Sequence, residues 1–516
     1  MRTKIHNSLF KSLHNILIED ENFQYDGGDI IEYSRNIMGN LLYEFYQLDD
    51  LCEQPVLMLF PNGFEYVASL WGIWRAGGMA VPLSPSHTVA EIQYILENTG
   101  AKCIIYDKSY QNIVNSLKKQ NLYKMPFVEK FYKSNCMFFL NPILKSRETL
   151  VLLPNYSLPK SFSARKALMI YTSGTTSKPK GVVHTHKSIE NQIKTLIDAW
   201  HWQSNDYILN VLPLHHIHGI VNITLCALWC GAKTYMLPKF DAAKVWQLFM
   251  NKGFTVFMAV PTIYYKLIEE YDKADKMTQK KMSEACHNMR LMVSGSAALP
   301  ITVLERWKEI SGHFLLERYG MSETGMLLSN PYQGERKAGM VGLPLPSVKV
   351  KVVDEQGKEV KEGKEGELWV QTKGLFSEYW NNPEATAKAF KGKWFKTGDM
   401  VRKDEQGYYK ILGRNSTDIL KSGGYKISAL EIEETLREHP QIADCAVVGL
   451  EDEQWGQKIA AAIVLKPHQS LSKEDLEKWL RERLAKYKIP SKILFINELS
   501  KNALGKTVKG EVVKLF

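Results

Sequence analysis

The sequence predicts an α/β protein whose first part is built from parallel sheets covered by helices. Short apolar runs, such as residues 56–60 and 102–106, alternate with segments like 65–77 whose apolar residues recur at helical spacing. This alternation continues through about the first three hundred residues, which is typical of parallel sheets. From Val341 the pattern changes, and a compact tail follows Arg414. A smaller β unit and a further α+β unit are therefore predicted.

The first residues allow two interpretations. No acidic residue precedes Glu19, which is the composition of a mitochondrial presequence. An apolar stripe at helical spacing also runs through the segment, formed by Leu9, Phe10, Leu13, Ile16 and Leu17. We expect a structural helix here, followed by a strand pair around residues 22–25. This favours a cytoplasmic protein, with the mitochondrial matrix as the alternative.

The later segments have a different texture. Residues 348–353 and 366–370 alternate apolar and polar side chains around a turn at 355–357, which predicts antiparallel strands. In the tail, the pattern predicts a helix at 429–438 and strands at 444–450, 459–465 and 493–496. Ser472, with Asp475 three residues later, predicts the beginning of another helix.

Composition agrees with a globular protein of more than one domain. The chain has 516 residues, too many for one ordinary core, and 45% of them are hydrophobic. No apolar run approaches the roughly 20 residues that a membrane-spanning helix needs. The net charge is +10, but the lysines are spread along the chain rather than gathered in a basic tail. Small anionic ligands are therefore favoured over nucleic acid.

The seven cysteines are dispersed, which favours reduced thiols over a disulfide framework. Cys226 and Cys230 follow three histidines, which makes a zinc site one interpretation; these histidines are His215, His216 and His218. The intervening Ala-Leu-Trp contains no turn residue. We therefore predict a buried helical turn in which the cysteines are small apolar side chains.

The most informative segment is Tyr-Thr-Ser-Gly-Thr-Thr-Ser-Lys-Pro-Lys-Gly at 171–181. Glycine allows close approach of backbone N–H groups to a phosphate, hydroxyls donate hydrogen bonds, and lysines supply charge. The spacing of Gly174 and Gly181 does not fit a Walker A loop. On composition alone, an ordinary Ser/Thr/Gly surface loop is the alternative.

The order of residues in this segment resembles the phosphate loop of the adenylate-forming superfamily. This superfamily comprises acyl-CoA synthetases, peptide-synthetase adenylation domains and firefly-type luciferases. Further similar motifs follow in the expected order at 213–219, 293–297, 317–323, 394–399, 412–414, 421–425 and 502–506. The chain is most similar to malonyl-CoA synthetases, through Leu-His-His-Ile-His-Gly, Arg-Leu-Met-Val-Ser-Gly-Ser and Leu-Glu-Arg-Tyr-Gly-Met-Ser-Glu.

The resemblance implies a domain organisation. Residues 1–413 would form a large domain of two helix-flanked sheets plus the small β unit, and residues 414–516 a mobile C-terminal domain. The hinge would lie near Ser416, where many members of the superfamily have Asp or Lys. The serine makes the exact hinge position an open question.

The resemblance also implies a reaction. A carboxylate attacks the α-phosphorus of ATP, pyrophosphate leaves, and the thiol of CoA then displaces AMP from the acyl adenylate. Mg²⁺ and cationic side chains would stabilise the charge that accumulates in the first step. ATP, CoA and Mg²⁺ are therefore expected ligands.

Roles are carried over by resemblance. Glu323 and Thr172 would bind Mg²⁺, and Lys506 would catalyse adenylation. Asp399 and Arg414 would bind the ribose or phosphate. The phosphates would contact Thr172, Ser173, Gly174, Thr175, Thr176, Lys178 and Lys180. The nucleotide would also contact Gly295, Ser296, Ala297, Glu317, Arg318, Tyr319, Gly320, Met321 and Ser322. The CoA step would use Lys421, Gly423 and Gly424.

The acid is expected to be malonate. Its second carboxylate needs a cationic or donor-rich end of the pocket, because burying it unpaired is costly. His218, which we also count as catalytic, and Arg290 are the candidates, with Ser296 and Met321 shaping the cavity. A fatty-acyl-CoA ligase and an enzyme that loads a carrier protein remain alternatives. A non-catalytic ligand-binding protein is the third.

Overall fold

The computed structural model describes residues 12–46, 48–118, 122–127, 162–172, 179–415, 417–422, 425–453, 455–501 and 507–516. Within these ranges, no helix combines the length and the apolar character needed to cross a membrane.

Nine strands of the described chain form the largest sheet, in the order β15-β14-β13-β12-β11-β9-β10-β1-β2. The six strands β1, β10, β9, β11, β12 and β13 in its middle pair in parallel. The strands at its two edges, β2 on one side and β14 and β15 on the other, pair antiparallel. The strands are β1 (Ile16–Glu19), β2 (Gln24–Asp26), β9 (Tyr207–Asn210), β10 (Lys233–Met236), β11 (Val256–Ala259), β12 (Leu291–Gly295), β13 (Leu316–Met321), β14 (Gly325–Ser329) and β15 (Leu343–Pro344).

A second sheet takes seven strands of the described ranges, in the order β18-β8-β7-β4-β3-β5-β6. The strands β3 to β7 pair in parallel, whereas β8 and β18 are antiparallel additions. They are β3 (Pro55–Leu59), β4 (Met79–Pro82), β5 (Cys103–Tyr106), β6 (Tyr123–Pro126), β7 (Lys166–Thr172), β8 (Lys180–Thr185) and β18 (Glu378–Tyr379). The predicted helix-flanked parallel sheets are confirmed.

The helices follow the same alternation. They are α1 (Gly27–Gly39), α2 (Phe64–Arg75), α3 (Val89–Thr99), α4 (Gln111–Asn115), α5 (His186–Trp200), α6 (Cys226–Cys230), α7 (Ala242–Asn251), α8 (Pro261–Lys273), α9 (Lys276–His287), α10 (Ile301–Ser311), α11 (Pro383–Ala389), α12 (Ala429–Arg437), α13 (Lys473–Arg481) and α14 (Lys509–Val513). Two segments are π-helical. Asn40–Tyr46 directly follows α1, and His218–Leu225 directly precedes α6.

Helix α2 shows why the core forms where it does. Its sequence is apolar on nearly every side, and the side chains of Trp71 and Trp74 are fully buried. A helix that is hydrophobic all round is expected inside a protein rather than on its surface. The indole N–H of Trp74 donates to the carbonyl oxygen of Ala167 in β7 at 2.7 Å, which ties the helix to the seven-stranded sheet.

The small β unit is antiparallel throughout, as predicted. Its strands are β16 (Lys349–Val353), β17 (Glu365–Gln371), β19 (Phe390–Lys391), β20 (Trp394–Lys403) and β21 (Tyr409–Arg414). The tail forms another sheet from β22 (Ile419–Ser422), β23 (Tyr425–Ser428), β24 (Ile442–Asp452), β25 (Gly456–Leu465) and β26 (Lys492–Phe495). The predicted helix cap is confirmed, because Ser472 Oγ accepts from the N–H of Asp475 at 3.0 Å.

The prediction of a helix over the first residues was wrong where it can be checked. Residues Ile16–Glu19 form β1, which pairs with β10 on one side and β2 on the other, and Leu17 and Ile18 are completely buried. A short apolar run fits a buried strand as well as a helix. The strand pair expected nearby is present as β1 and β2. Leu9 and Phe10 lie outside the described residues.

Cys226 and Cys230 lie at the two ends of helix α6, as predicted. The Cys226 side chain is buried, and Cys230 Sγ lies 3.9 Å from the carbonyl oxygen of Trp202. Within the ranges that the structure describes, no group of three or more His, Cys, Asp and Glu side chains is arranged to hold a metal ion.

Candidate active site

The predicted motifs meet at one edge of the nine-stranded sheet. Strands β9, β11, β12 and β13 are parallel, so their carboxyl ends share this edge, where ligands of open α/β sheets usually bind. A cavity of 1620 Å³ opens there. Predicted site residues that line it are Thr172, Lys180, His218, Ser296, Ala297, Glu317, Arg318, Tyr319, Gly320, Met321, Ser322, Glu323, Asp399 and Arg414.

Asp399 connects the small β unit to this edge. Its Oδ2 accepts a hydrogen bond from the hydroxyl of Tyr319 at 2.5 Å, and its Oδ1 lies 3.2 Å from Nε of Arg414. Burial disfavours the charge of Arg414, but Asp399 raises the pKa of the guanidinium above its usual range. The carboxylate is thus fixed in orientation, which suits recognition of a pair of hydroxyl groups.

Glu323 lies at the end of the loop after β13 and is almost fully buried. Its Oε1 accepts from the hydroxyl of Tyr379 at 2.9 Å, while burial raises the pKa of the carboxyl. The preceding carbonyl, Ser322 O, accepts from Nε2–H of His184 at 2.7 Å. Tyr379 and His184 therefore hold the loop from both sides. A carboxylate in this setting is a suitable hard ligand for Mg²⁺, and the hydroxyl of Thr172 lines the same cavity.

Three side chains that are linked by hydrogen bonds form another part of the cavity wall. Arg318 Nη2 donates to Ser296 Oγ at 3.3 Å, and Ser296 Oγ lies 3.4 Å from Nδ1 of His218. Burial, followed by the charge of Arg318, holds the pKa of His218 well below its usual value, so the ring is neutral. A neutral ring carries one proton, and when that proton is on Nε2, Nδ1 accepts a hydrogen bond from the Ser296 hydroxyl.

Two nitrogen atoms of these side chains are left without a hydrogen-bond partner among the described residues. They are Nε of Arg318 and Nε2 of His218, and both are buried. Arg318 is only 2% exposed, and burial lowers its pKa to about 9. Buried donors are rarely left unpaired, and a buried charge is costly without a counter-ion. The pair is therefore arranged to receive an anion or another acceptor.

Local backbone makes room for this arrangement. Gly295 pairs in register with Arg318 across β12 and β13, and a Cβ at this position would lie 2.7 Å from Cζ of the guanidinium. The next residue, Ser296, has a φ of +70°, a left-handed conformation that costs a non-glycine residue about 1 kcal/mol. Gly295 itself packs against Arg318 and is not among the residues that line the cavity, although the resemblance implied a contact with the nucleotide.

Glu317 is the other charged residue of this strand. Its Oε1 accepts from the N–H of Leu299 at 3.2 Å, and Oε2 has no partner in the described part of the chain. Burial raises the pKa of the carboxyl to about 8. A carboxyl that is mostly protonated at neutral pH can occupy this place without a dedicated cation.

The expectation that Arg290 lines the acid pocket was wrong. Arg290 directly precedes β12, whereas Ser296 directly follows it, so the strand separates them by about 20 Å. The guanidinium instead forms a bidentate pair with Asp206, with Nε–Oδ1 and Nη2–Oδ2 distances of 2.6 and 2.5 Å. Nη1 donates to the carbonyl oxygen of Trp200 at 3.0 Å. Arg290 is a structural residue at the opposite edge of the sheet.

The remaining assignments divide into two groups. Lys180 begins β8 with its ammonium 5.3 Å from the ring centre of Tyr379. Lys421 lies on β22, outside the cavity wall, and its backbone N–H donates to Gln457. The others fall outside the described residues: Ser173, Gly174, Thr175, Thr176, Lys178, Ser416, Gly423, Gly424 and Lys506.

Two residues of the site carry no signal in the sequence. Tyr379 belongs to the two-residue strand β18, and His184 is an inward-facing residue of β8. Each contacts the Ser322–Glu323 loop from more than fifty positions away in sequence. Such partners follow from the pairing of β18 with β8, which a pattern of apolar residues does not reveal.

Comparisons with known proteins identify the family of the chain. Residues 52–380 match the family model described as AMP-binding enzyme, and residues 431–506 match the model of the AMP-binding enzyme C-terminal domain. A mitochondrial malonate–CoA ligase of Bos taurus is 42% identical over 90% of this chain and 82% of its own length. A malonate–CoA ligase of Arabidopsis thaliana is 40% identical over 87% of this chain and 76% of its own.

Solved structures extend the likeness to the whole fold. ATP-bound MatB from Rhodopseudomonas palustris has a TM-score of 0.86 and 29% identity, covering 100% of this chain and 99% of that one. The apo form of the same protein, with equal coverage and 28% identity, has a TM-score of 0.75. The arrangement of this chain is therefore closer to the ATP-bound form.

Replacement of Arg290 by methionine should lower stability rather than alter acid preference. The change leaves Asp206 buried without its counter-charge, which should cost about 3–5 kcal/mol. Thermal unfolding and kcat/KM per folded molecule would be measured together. The control is Arg481→Met, which removes an exposed pair with Glu477 worth about 0–1 kcal/mol. A selective loss with malonate at unchanged stability would contradict this structural role.

Stability should fall as the pH is lowered from about 6.5 to about 4. Burial lowers the pKa of His184 and of His216 to about 4, and that of His215 to about 2, from an ordinary value of 6.5. In this window the unfolded chain binds more protons than the folded one. Each histidine then contributes a slope of up to about 1.4 kcal/mol per pH unit.

Denaturant unfolding at pH 7, 6 and 5 would measure this slope. His184→Gln should reduce the slope of the free energy of unfolding against pH by up to about 1.4 kcal/mol per pH unit, because one buried titrating group is removed. A free energy of unfolding that stays constant between pH 7 and 5 would show that these rings titrate at the same pH in the folded and the unfolded protein.

Proposed function

Because the chain belongs to the family of AMP-binding enzymes, we propose that it is an ATP-dependent ligase that joins malonate to coenzyme A. The products would be malonyl-CoA, AMP and pyrophosphate. Support comes from relatives that are named malonate–CoA ligases and from the polar arrangement in the cavity.

The single observation that carries the choice of acid is the pair of unpaired buried donors on Arg318 and His218. The second carboxylate of malonate would accept from Nε–H of Arg318 and Nε2–H of His218. This carboxylate would also neutralise a guanidinium whose burial is otherwise unfavourable. Arg318 thereby takes the role that the sequence suggested for Arg290, instead of a contact with the nucleotide. A monocarboxylic or fatty acid would leave both donors unsatisfied.

The same cavity would hold the nucleotide. Asp399, fixed by Tyr319 and Arg414, would accept hydrogen bonds from the ribose hydroxyls, and the ring of Tyr319 would offer a face to the base. Residues 172–180 would contact the phosphates. Glu323 and Thr172 fit a Mg²⁺ ion, which would neutralise charge on the phosphates when bound.

The reaction would then proceed in two steps. The reacting carboxylate of malonate attacks the α-phosphorus of ATP and pyrophosphate leaves, with the ammonium of Lys506 stabilising the added negative charge. In the second step the thiol of CoA attacks the acyl carbon and AMP leaves. Residues Lys421, Gly423 and Gly424 are proposed for this step, after movement of residues 414–516 about a hinge near Ser416.

The location in the cell is proposed from the relatives. The Bos taurus and Homo sapiens proteins are named mitochondrial, and this chain has no acidic residue before Glu19. We therefore propose the mitochondrial matrix ahead of the cytoplasm. Fluorescence microscopy of the full chain fused at its C-terminus to a fluorescent protein tests this, and a diffuse cytoplasmic signal would contradict it.

A product assay tests the reaction. With ATP, CoA, Mg²⁺ and malonate, the enzyme should form AMP, pyrophosphate and malonyl-CoA in equal amounts. Propionate should react with a kcat/KM lower by about 30-fold or more, since the second carboxylate contributes roughly 2 kcal/mol or more. Formation of ADP and phosphate would exclude an adenylate. Faster reaction with octanoate or palmitate would favour a fatty-acyl-CoA ligase.

Arg318→Met should reduce kcat/KM for malonate by about 30-fold or more, because the second carboxylate loses its charged partner. The loss with propionate should be much smaller. Gly295→Ala is an independent test, since its new Cβ displaces the guanidinium without removing it. Arg318→Lys keeps the charge but loses the forked donors, so an intermediate effect is expected. Equal losses for both acids would make Arg318 a structural residue.

A further inference from the structure

The turn between β21 and β22 is closed by the side chain of Asp418. Its Oδ2 accepts from the backbone N–H of Arg414 at 3.0 Å, and the N–H of Asp418 donates to the carbonyl oxygen of Arg414 at 2.8 Å. The N–H of Thr417 also lies 3.1 Å from that oxygen. These bonds span the residues at which the hinge is proposed. Any rotation of the backbone between Arg414 and Asp418 must therefore lengthen or break them.

Lys509, in helix α14, holds the other side of Asp418. Its Nζ lies 2.7 Å from Oδ1 of Asp418 and 2.9 Å from Oε1 of Glu433. The side chains of the three residues are 16%, 16% and 5% exposed, so the group is largely withdrawn from water. Burial opposes the charge of Lys509, but the two carboxylates raise its pKa above the usual range. A largely withdrawn pair of this kind is more restricted in geometry than an exposed one, since little of either side chain can be solvated instead.

The contacts continue to the nucleotide site. The side chain of Arg414, whose backbone is held by Asp418, places its Nε 3.2 Å from Asp399. A continuous polar path thus runs from Lys509 through Asp418 and Arg414 to Asp399. Lys509 also follows Lys506 by three positions in the sequence. One ion pair consequently joins the turn at Arg414 to the helix that follows the predicted catalytic lysine in sequence.

We propose that Lys509 is a positioning residue which, through Asp418, holds the turn at Arg414 in the orientation required for adenylation. The inference rests on the proposed two-step reaction. Lys509 and Asp418 both lie after Ser416, so their pair can persist when the residues after the hinge move, whereas Arg414 precedes the hinge. Rotation of the backbone between Arg414 and Asp418 would lengthen or break the hydrogen bonds between these two residues. Lys509 would therefore favour adenylation over thioester formation without contacting a substrate.

Half-reactions of the purified enzyme separate this role from a purely structural one. Adenylation is followed as malonate-dependent exchange of pyrophosphate into ATP, and thioester formation as the reaction of supplied malonyl adenylate with CoA. Lys509→Met should slow adenylation by about tenfold or more, because loss of a hydrogen bond to a charged group typically costs that much or more in free energy. Thioester formation should stay within about twofold of the wild type, since it does not use the bonds to Arg414.

The chain offers matched controls. Lys514→Met removes a lysine just after helix α14 whose side chain is 71% exposed and whose partner is Glu511, and it should change neither half-reaction. Lys509→Arg preserves the charge and should restore most of the adenylation rate. If Lys509→Met does not fold, the double variant Lys509→Met/Asp418→Asn removes both members of the pair and should show the same selective loss.

Two results would overturn the proposal. One is an equal loss of both half-reactions in a folded variant, which would make the ion pair merely structural. The other is unchanged adenylation in a folded Lys509→Met or double variant. Absence of malonate-dependent exchange in the wild type is a separate outcome, because it would contradict the proposed function itself before any variant is compared.

Discussion

The buried guanidinium of Arg318 is the constraint around which the candidate site is organised. A charge held out of water is tolerated only where other groups share it or a ligand will compensate it. Parallel pairing of β12 with β13 places Gly295 beside this side chain, and the missing Cβ leaves the space it occupies. Ser296 Oγ accepts a hydrogen bond from the guanidinium of Arg318 and also lies within hydrogen-bond distance of Nδ1 of His218. The register of β12 and β13, the missing Cβ of Gly295 and the left-handed backbone of Ser296 thus all accommodate the guanidinium of Arg318.

The polar side chains divide the cavity into one region that offers hydrogen-bond donors and another that offers acceptors. Arg318 and neutral His218 offer donors, whereas Asp399 and Glu323 offer acceptors for hydroxyl groups and for a metal ion. A dicarboxylic acid and a nucleotide with its metal ion can therefore occupy the same space without competing for the same groups. Glu317, a carboxyl whose pKa burial raises to about 8, adds little negative charge near Arg318 at neutral pH. The charge of the guanidinium is thus left for a substrate.

The sequence was sufficient for most of the fold, because long segments with consistent periodicity specify parallel strands, helices and the antiparallel unit after Val341. It failed at Ile16–Glu19, where a four-residue apolar run does not distinguish a strand from a helix. The site was predictable where motifs end strands, as at Ser296 and Glu323. Arg290 was misplaced because its short sequence distance from Ser296 spans the length of β12.

Pairs formed over long sequence separations were not accessible in the same way. Arg318 and Tyr319 are neighbours, but successive residues of a strand point to opposite sides, so they need not bind the same ligand. The contact of Tyr379 with Glu323 depends on how β18 joins β8. The contact of Lys509 with Asp418 depends on where the last helix packs on the C-terminal sheet. Each is a consequence of tertiary packing that no local pattern encodes.

The proposed two-step reaction requires one cavity to serve two sets of contacts, so the energy that favours each orientation must be small and localised. The described arrangement is more similar to ATP-bound MatB, with a TM-score of 0.86, than to its apo form, with a TM-score of 0.75. Lys410 and Glu434, on β21 and α12, lie 3.5 Å apart with about a third of each side chain exposed, and such pairs contribute about 0–1 kcal/mol. The turn at Arg414 is different, because its acceptor Asp418 is only 16% exposed and is paired with Lys509. In the proposed reaction, the hydrogen bonds at this turn would bias the orientation, and they are few enough to be broken in each catalytic cycle.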